Sequence, residues 1–185
     1  MSNVAISGNA SGTGVFTIQS PNSNTDRVLT LPDATGTVLT TATAGVPVNG
    51  PAFSYYLNTA QTGISAGVFT KVLYDTQIFN ATSSMFSSSR FTPTVAGYYQ
   101  INGSINPGGT LTTSLISIFK NGSRYTDGTF FNAVSVNVVT VSGIVYCNGS
   151  TDYIELYGYL TGTSLTFQAG QVGSVFNGAL VRSAV

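Results

Sequence analysis

Past residue 51, apolar and polar positions alternate with a period of two over most of the chain, and helical spacing is almost absent. Residues 97–105 read GYYQINGSI, which puts Tyr99, Ile101 and Ile105 on one face and Tyr98, Gln100, Asn102 and Ser104 on the other. Residues 152–160 read DYIELYGYL: Ile154, Leu156 and Leu160 share a face, and Tyr153, Glu155, Tyr157 and Tyr159 share the opposite one. Val134, Val136 and Val138 alternate with Ser135 and Asn137 until the phase slips at Val139, as it does at a β-bulge. Asn121-Gly122 and Asn148-Gly149 are hairpin-type turn signals. Many short strands with this punctuation predict an all-β sandwich or jelly roll.

Two predicted strands are apolar on both sides. The second face of 152–160 presents three tyrosines around Glu155, and 174–181 places Phe176 and Leu180 on one face and Val175, Ala179 and Val181 on the other. The outward face of a strand in a monomeric sandwich is ordinarily polar. With no helix to cover these faces, another subunit is the expected cover, and Tyr153, Glu155, Tyr157, Tyr159, Val175, Ala179 and Val181 become the expected subunit interface. Glu155 on such a seam needs donors, either tyrosine hydroxyls or a cation such as Lys71 or Arg182 of a neighbouring subunit; an exposed Glu near a strand end is the alternative.

The aromatics divide the chain. Of 10 Tyr and 11 Phe, only Phe16 precedes Phe53. Residues 1–50 are rich in Gly, Thr, Ser, Asn and Ala, with small apolar clusters at 15–18, 28–31 and 38–39 and turn signals at Pro21-Asn22 and Pro32-Asp33. Pro47 and Pro51 flank the junction. The expected organisation is an extended or short-stranded N-terminal arm over 1–50 and one domain over 51–185.

Charge narrows the chemistry. Six Lys and Arg balance six Asp and Glu, and charged residues are 6% of the chain, against about 25% in an ordinary soluble domain. There is no His and one Cys, Cys147, so zinc sites, internal disulfides and every imidazole-dependent catalytic arrangement are excluded. Zero net charge argues against nucleic acid. No apolar run reaches the length of a membrane helix, and the first ten residues have neither the basic region nor the apolar core of a secretory signal. Within one chain the paired-carboxylate arrangement fails as well: Asp152 and Glu155 are close in sequence, but their odd separation puts them on opposite faces of a strand, which leaves only carboxylates of neighbouring subunits to meet. No catalytic residue and no cofactor are expected. For calcium, Asp127 before Gly128 is the one candidate loop ligand, and a single carboxylate is too few without symmetry. Cys147 reads as a small buried side chain.

Residues 69–75 (FTKVLYD) and 90–101 (RFTPTVAGYYQI) resemble the signature of the complement C1q-like domain. Phe69, Asp75, Phe86, Phe91, Gly97, Tyr99 and Ile101 fill its places. The gap from Asp75 to Phe86 is longer than usual, that from Phe86 to Phe91 is shorter, and Ile101 stands where Phe is usual. Residues 116–124, 152–157 and 175–181 are similar to the family's later strands, adding Ile154, Leu156, Phe176 and Leu180 to the signature core. The resemblance implies a C1q/TNF-like jelly roll of about ten strands that assembles as a homotrimer.

Residues 14–18 (GVFTI) and 24–39 (NTDRVLTLPDATGTVL) resemble a segment of bacteriophage tail-fibre and other virion proteins. Together the two resemblances imply a virion structural protein. The arm would contact other virion proteins, and the trimeric head would bind a host surface glycan or protein as a short tail fibre or fibre tip. A capsid decoration protein is the alternative, and a glycan-active or non-viral bacterial C1q-like domain a second one. Receptor contacts are expected on loops at 82–89, 106–113, 123–132 and 161–163.

Overall fold

The computed structural model describes residues 50–81, 84–132 and 138–184, together with 11–15, 17, 19, 22–26 and 28. The chain divides into two compact units, Met1–Val38 and Leu39–Val185. Most of the arm's apolar clusters, and the alternating positions Val134 and Val136, lie outside the described residues.

Among the described residues the second unit holds eleven strands and no helix. In chain order they are β1 (Ala52–Tyr56), β2 (Gln61–Thr62), β3 (Thr70–Lys71), β4 (Thr76–Asn80), β5 (Phe86–Ser87), β6 (Arg90–Phe91), β7 (Gly97–Lys120), β8 (Ser123–Phe131), β9 (Val139–Cys147), β10 (Ile154–Gln168) and β11 (Val175–Ser183). All pairings are antiparallel. The first layer runs β4-β1-β11-β7-β9. The second runs β8-β7-β10-β6-β5, with β2 and β3 also on β10.

One strand belongs to both layers. The first part of β7 pairs with β9 from Gly97↔Cys147 to Ile105↔Val139, and its remainder pairs with β10 from Asn106↔Gln168 to Lys120↔Ile154. The changeover falls at Pro107-Gly108-Gly109, where β7 has β10 as its only strand partner. An open strand edge tolerates the N–H that proline lacks. Gly109 (φ 107°) has no room for a Cβ, which would meet the Thr163 and Ser164 carbonyl oxygens at 2.6 Å. Gly162 (φ 135°), across the ladder, is tighter: its Cβ would run into the Thr110 carbonyl oxygen. Register shifts on both sides of Thr163 accommodate this corner, as expected where a strand changes sheet.

The corner corrects three expected loops. Residues 106–113 and 161–163 lie inside β7 and β10, and 123–131 form β8. Gly-Gly and Thr-rich runs read as turns, but Thr is also a strand former, and the bulged ladder holds these segments. The two Asn-Gly signals also diverge. Asn121 (φ 53°) and Gly122 (φ 77°) make the predicted two-residue hairpin between β7 and β8. Asn148-Gly149 instead begins a crossover from β9 in the first layer to β10 in the second.

The core lies between the layers. Phe53 on β1 stacks on Phe91 at 4.4 Å between ring centroids and meets Phe86 and Phe176 at 5.0 Å. Tyr99, Ile101, Ile154 and Leu156 are fully buried, Gly97 is buried and Leu180 half-buried. The buried phenols keep their hydrogen bonds: the Tyr74 hydroxyl donates to Ser104 O at 2.9 Å and the Tyr99 hydroxyl to Val95 O at 2.7 Å. Two signature positions lie elsewhere. Phe69 is half-buried on the outer side of the second layer, and Asp75 is exposed, accepting from the Asn58 and Thr59 N–H groups at 2.7 and 3.1 Å.

Gly162→Ala forces a side chain into a backbone conformation that costs of order 1–3 kcal/mol. It is expected to lower unfolding stability by at least that amount in urea titration, with an unchanged far-ultraviolet spectrum of the folded state.

Candidate functional site

Over β10, the outer face of the second layer is covered from within the chain, whereas Tyr125 and Phe130 on β8 stay half exposed. Phe119 stacks on Tyr157 at 4.1 Å, and Phe69, carried in by the segment before β3, packs on Phe119 at 5.4 Å and on Tyr159 at 5.1 Å. Tyr157 and Tyr159 are half-buried as a result. Glu155, beside Tyr157 on the same face, is 2% exposed. Lys71 Nζ lies 2.6 Å and Arg90 Nε 2.8 Å from Glu155 Oε1, and the Tyr157 hydroxyl donates to Oε2 at 3.2 Å. Burial by itself pushes the Glu155 pKa up, but the hydrogen bonds and charges of Lys71 and Arg90 outweigh it and hold the pKa below the ordinary value. The Arg90 guanidinium lies 3.9 Å over the Tyr153 ring.

The expected interface residues fall on two different layers. Tyr153, Glu155, Tyr157 and Tyr159 belong to the second layer, whereas Val175, Ala179 and Val181 lie on β11 in the first. The outer faces of the two layers point in opposite directions, so the two sets cannot form one contiguous patch. The donors of Glu155 come from its own chain: Lys71, expected from a neighbouring subunit, reaches it within the protomer, and Arg90 is a partner that the sequence pattern does not indicate.

Asp152 and Asp127 are also paired within the chain. Asp152 takes Lys120 Nζ at 2.9 Å, Asn121 Nδ2 at 2.7 Å and the Asn148 N–H at 3.0 Å, tying together the β7–β8 turn and the β9–β10 crossover. The hydrogen bond from Asn121 is the main reason its pKa is lowered. Asp127 is not in a loop but on β8. It accepts from Nε and one terminal nitrogen of Arg124 and from the Ser117 hydroxyl at 2.7 Å, with Arg124 the main cause of its lowered pKa. The one calcium candidate is thus committed to a guanidinium, and no three potential metal ligands converge among the described residues. Cys147 is fully buried, and burial pushes its thiol up to about 11.

The outer face of the first layer is different in kind. Alternation along β9 turns Ile144 and Tyr146 outward, opposite Gln100 and Tyr98 of β7, while Ala179 pairs with Gln100 and Arg182 with Tyr98 on the other side. Tyr98, Ile144, Tyr146 and Val181 are 46%, 55%, 41% and 56% exposed. With Arg182, Ser183 and Ala184 they line a shallow groove of about 620 Å³. Farther along the face the surface turns polar. Gln100 donates to Ser142 Oγ at 2.9 Å and to Asn102 Oδ1 at 3.0 Å, and Asn102 donates to Asn177 Oδ1 at 3.0 Å. Tyr98, Ile144 and Tyr146 are not among the expected interface residues, although the period-two pattern of 139–147 turns Ile144 and Tyr146 to the side of Thr140 and Ser142.

Comparison with known proteins places this architecture. No family model matches the sequence, and no curated protein matches it. Among solved structures, murine APRIL aligns with a TM-score of 0.57 at 10% identity, over 71% of this chain and 99% of that one. Eiger TNF from S. frugiperda aligns with a TM-score of 0.56 at 10% identity, over 74% and 96%. The globular domain of zebrafish complement 1qA aligns with a TM-score of 0.52 at 20% identity, over 72% and 99%. The fold is a C1q/TNF-like jelly roll.

Acid stability follows from the carboxylates. Asp75, Asp127, Asp152 and Glu155 all have folded-state pKa values below their ordinary ones. Their contribution is complete above the unfolded carboxylate pKa of about 4 and is lost as pH falls through the lower folded values. With no His in the chain, the melting temperature is expected to be flat between about pH 5 and 8 and to drop below about pH 4. Glu155→Leu leaves Lys71 and Arg90 without their anion, so it is expected to destabilise the chain itself by about 1–3 kcal/mol in denaturant titration. The Cys147 thiol is expected to stay unreactive towards a disulfide reagent at pH 8 until the protein is unfolded.

Proposed function

We propose that residues 51–185 form the homotrimeric head of a virion structural protein, which binds a host surface receptor, and that residues 1–50 anchor this head to a bacteriophage-type particle as a short tail fibre or fibre tip. The observation that carries the assembly is the group Tyr98, Ile144, Tyr146 and Val181, exposed together on one sheet face. A contiguous apolar surface of this kind marks an interaction site, and the C1q/TNF-like fold favours a second and third copy of the chain as its cover. Val175, Ala179 and Val181 stay in the seam on this reading, while the β10 tyrosines leave it. The virion assignment rests on the resemblance of residues 14–18 and 24–39 to tail-fibre segments. Carboxylates held in ion pairs inside the chain fit a binding protein better than a catalyst.

Sedimentation velocity tests the assembly. A single trimeric species at micromolar concentration is expected, and the double variant Ile144→Asp/Tyr146→Asp is expected to run as a folded monomer with an unchanged far-ultraviolet spectrum. A wild-type protein that sediments as a stable monomer overturns the proposal. Immunogold electron microscopy of particles separates a tail location from a capsid one.

A further inference from the structure

Lys71 and Arg90 converge on one Glu155 oxygen, whereas Lys120 and Arg124 each have a carboxylate of their own. Of the four described ion pairs, these are the two that share an anion, so the cluster carries one net positive charge. It also opens on a cavity of about 390 Å³ lined by Lys71, Arg90, Ser84, Ser87, Ser88 and Thr92, with Met85 its one apolar lining residue. An ammonium has three donors and a guanidinium five, and Glu155 takes one from each cation. The two terminal amino groups of Arg90 have no acceptor among the described residues, nor do the hydroxyls of the four lining Ser and Thr residues have a hydrogen-bond partner there.

The arginine is held in place. It leaves the β5–β6 hairpin immediately after Ser88 (φ 51°) and Ser89 (φ 57°), both in a backbone conformation that non-glycine residues adopt at a cost. The Ser89 hydroxyl locks the turn by donating to the buried Tyr74 carbonyl at 3.0 Å, and the Thr92 N–H closes it on Met85 O at 2.7 Å. Stacking on Tyr153 sets the plane of the guanidinium. A planar fork with free donors matches a carboxylate. The single surplus charge matches a monoanion, and the surrounding hydroxyls match a polyhydroxylated body better than an apolar one.

We infer that this cavity binds the carboxylate of an acidic sugar, held between the Arg90 terminal amino groups and Lys71, with Ser84, Ser87, Ser88 and Thr92 bonding the sugar hydroxyls. The inference rests on the reading of this domain as a receptor-binding head and names the chemistry of the receptor. The cavity lies on the second layer, whereas the proposed self-association face lies on the first.

Saturation-transfer NMR on the full chain with D-glucuronate, D-glucose and inorganic phosphate tests it. Glucuronate is expected to bind, glucose to give no transfer, and phosphate to compete more weakly than glucuronate. Arg90→Gln is expected to weaken glucuronate at least tenfold. Because that change disturbs Glu155 and can unfold the chain, Glu155→Gln is the second variant: it releases both cations, and a folded Glu155→Gln protein is expected to bind glucuronate several-fold more tightly. Absence of glucuronate binding by a folded trimer overturns the inference and leaves the head reading standing. So does phosphate binding as well as glucuronate, or a folded Glu155→Gln protein with unchanged affinity. A monomeric chain that still binds glucuronate overturns the assembly and leaves the cavity assignment standing.

Discussion

The fold depends on β7 changing layers. Its first part closes the β11–β7–β9 ladder and its remainder closes the β10–β7–β8 ladder, so the two sheets share a continuous stretch of backbone. The core rings sit where that geometry brings β1 and β11 of the first layer over β6 of the second, with Phe53 against Phe91 and Phe176. Gly109 and Gly162 are required because the corner leaves no volume for a Cβ beside the opposing carbonyls. The direction of each outer face follows from the same constraint, since β7 sets which side of every neighbouring strand turns inward.

The two outer faces solve the problem of surplus apolar surface differently. On the second layer the chain folds its own Phe69 segment over β10, and the aromatic rows enclose a carboxylate that two cations neutralise. A buried carboxylate is tolerable only when its partners are present, so cover and charge pairing are one arrangement. On the first layer nothing in the described chain covers Tyr98, Ile144, Tyr146 and Val181, and the amide row of Gln100, Asn102 and Asn177 beside them bonds within itself.

Period-two alternation makes much of this legible in the amino-acid sequence. It separates Ile154, Leu156 and Leu160 from the tyrosines of β10, and Tyr99 and Ile101 from Tyr98 and Gln100, because a strand residue has only two directions to point. Alternation cannot say which layer a strand joins, and for that reason it groups β10 and β11 in one seam although they face opposite ways. The pairing of Arg90 with Glu155 spans 65 positions and leaves no local signal. The segments 106–113 and 161–163 read as loops because Gly and Thr serve both turns and bulged strands, and only the register across the ladder distinguishes them.

The position of β11 has a consequence for synthesis. It is the eleventh strand in chain order, yet it lies between β1 and β7 in the middle of its sheet, pairing Ala52 with Ala179 and Gly103 with Phe176. Until it is made, β1 has only the short β4 beside it, and the ring of Phe53 lacks its edge contact with Phe176. A chain still emerging from the ribosome therefore holds an incomplete first layer until β11 is free, and folding cannot finish strand by strand in the order of translation. Losing β11 would remove the centre of a sheet, not trim its border.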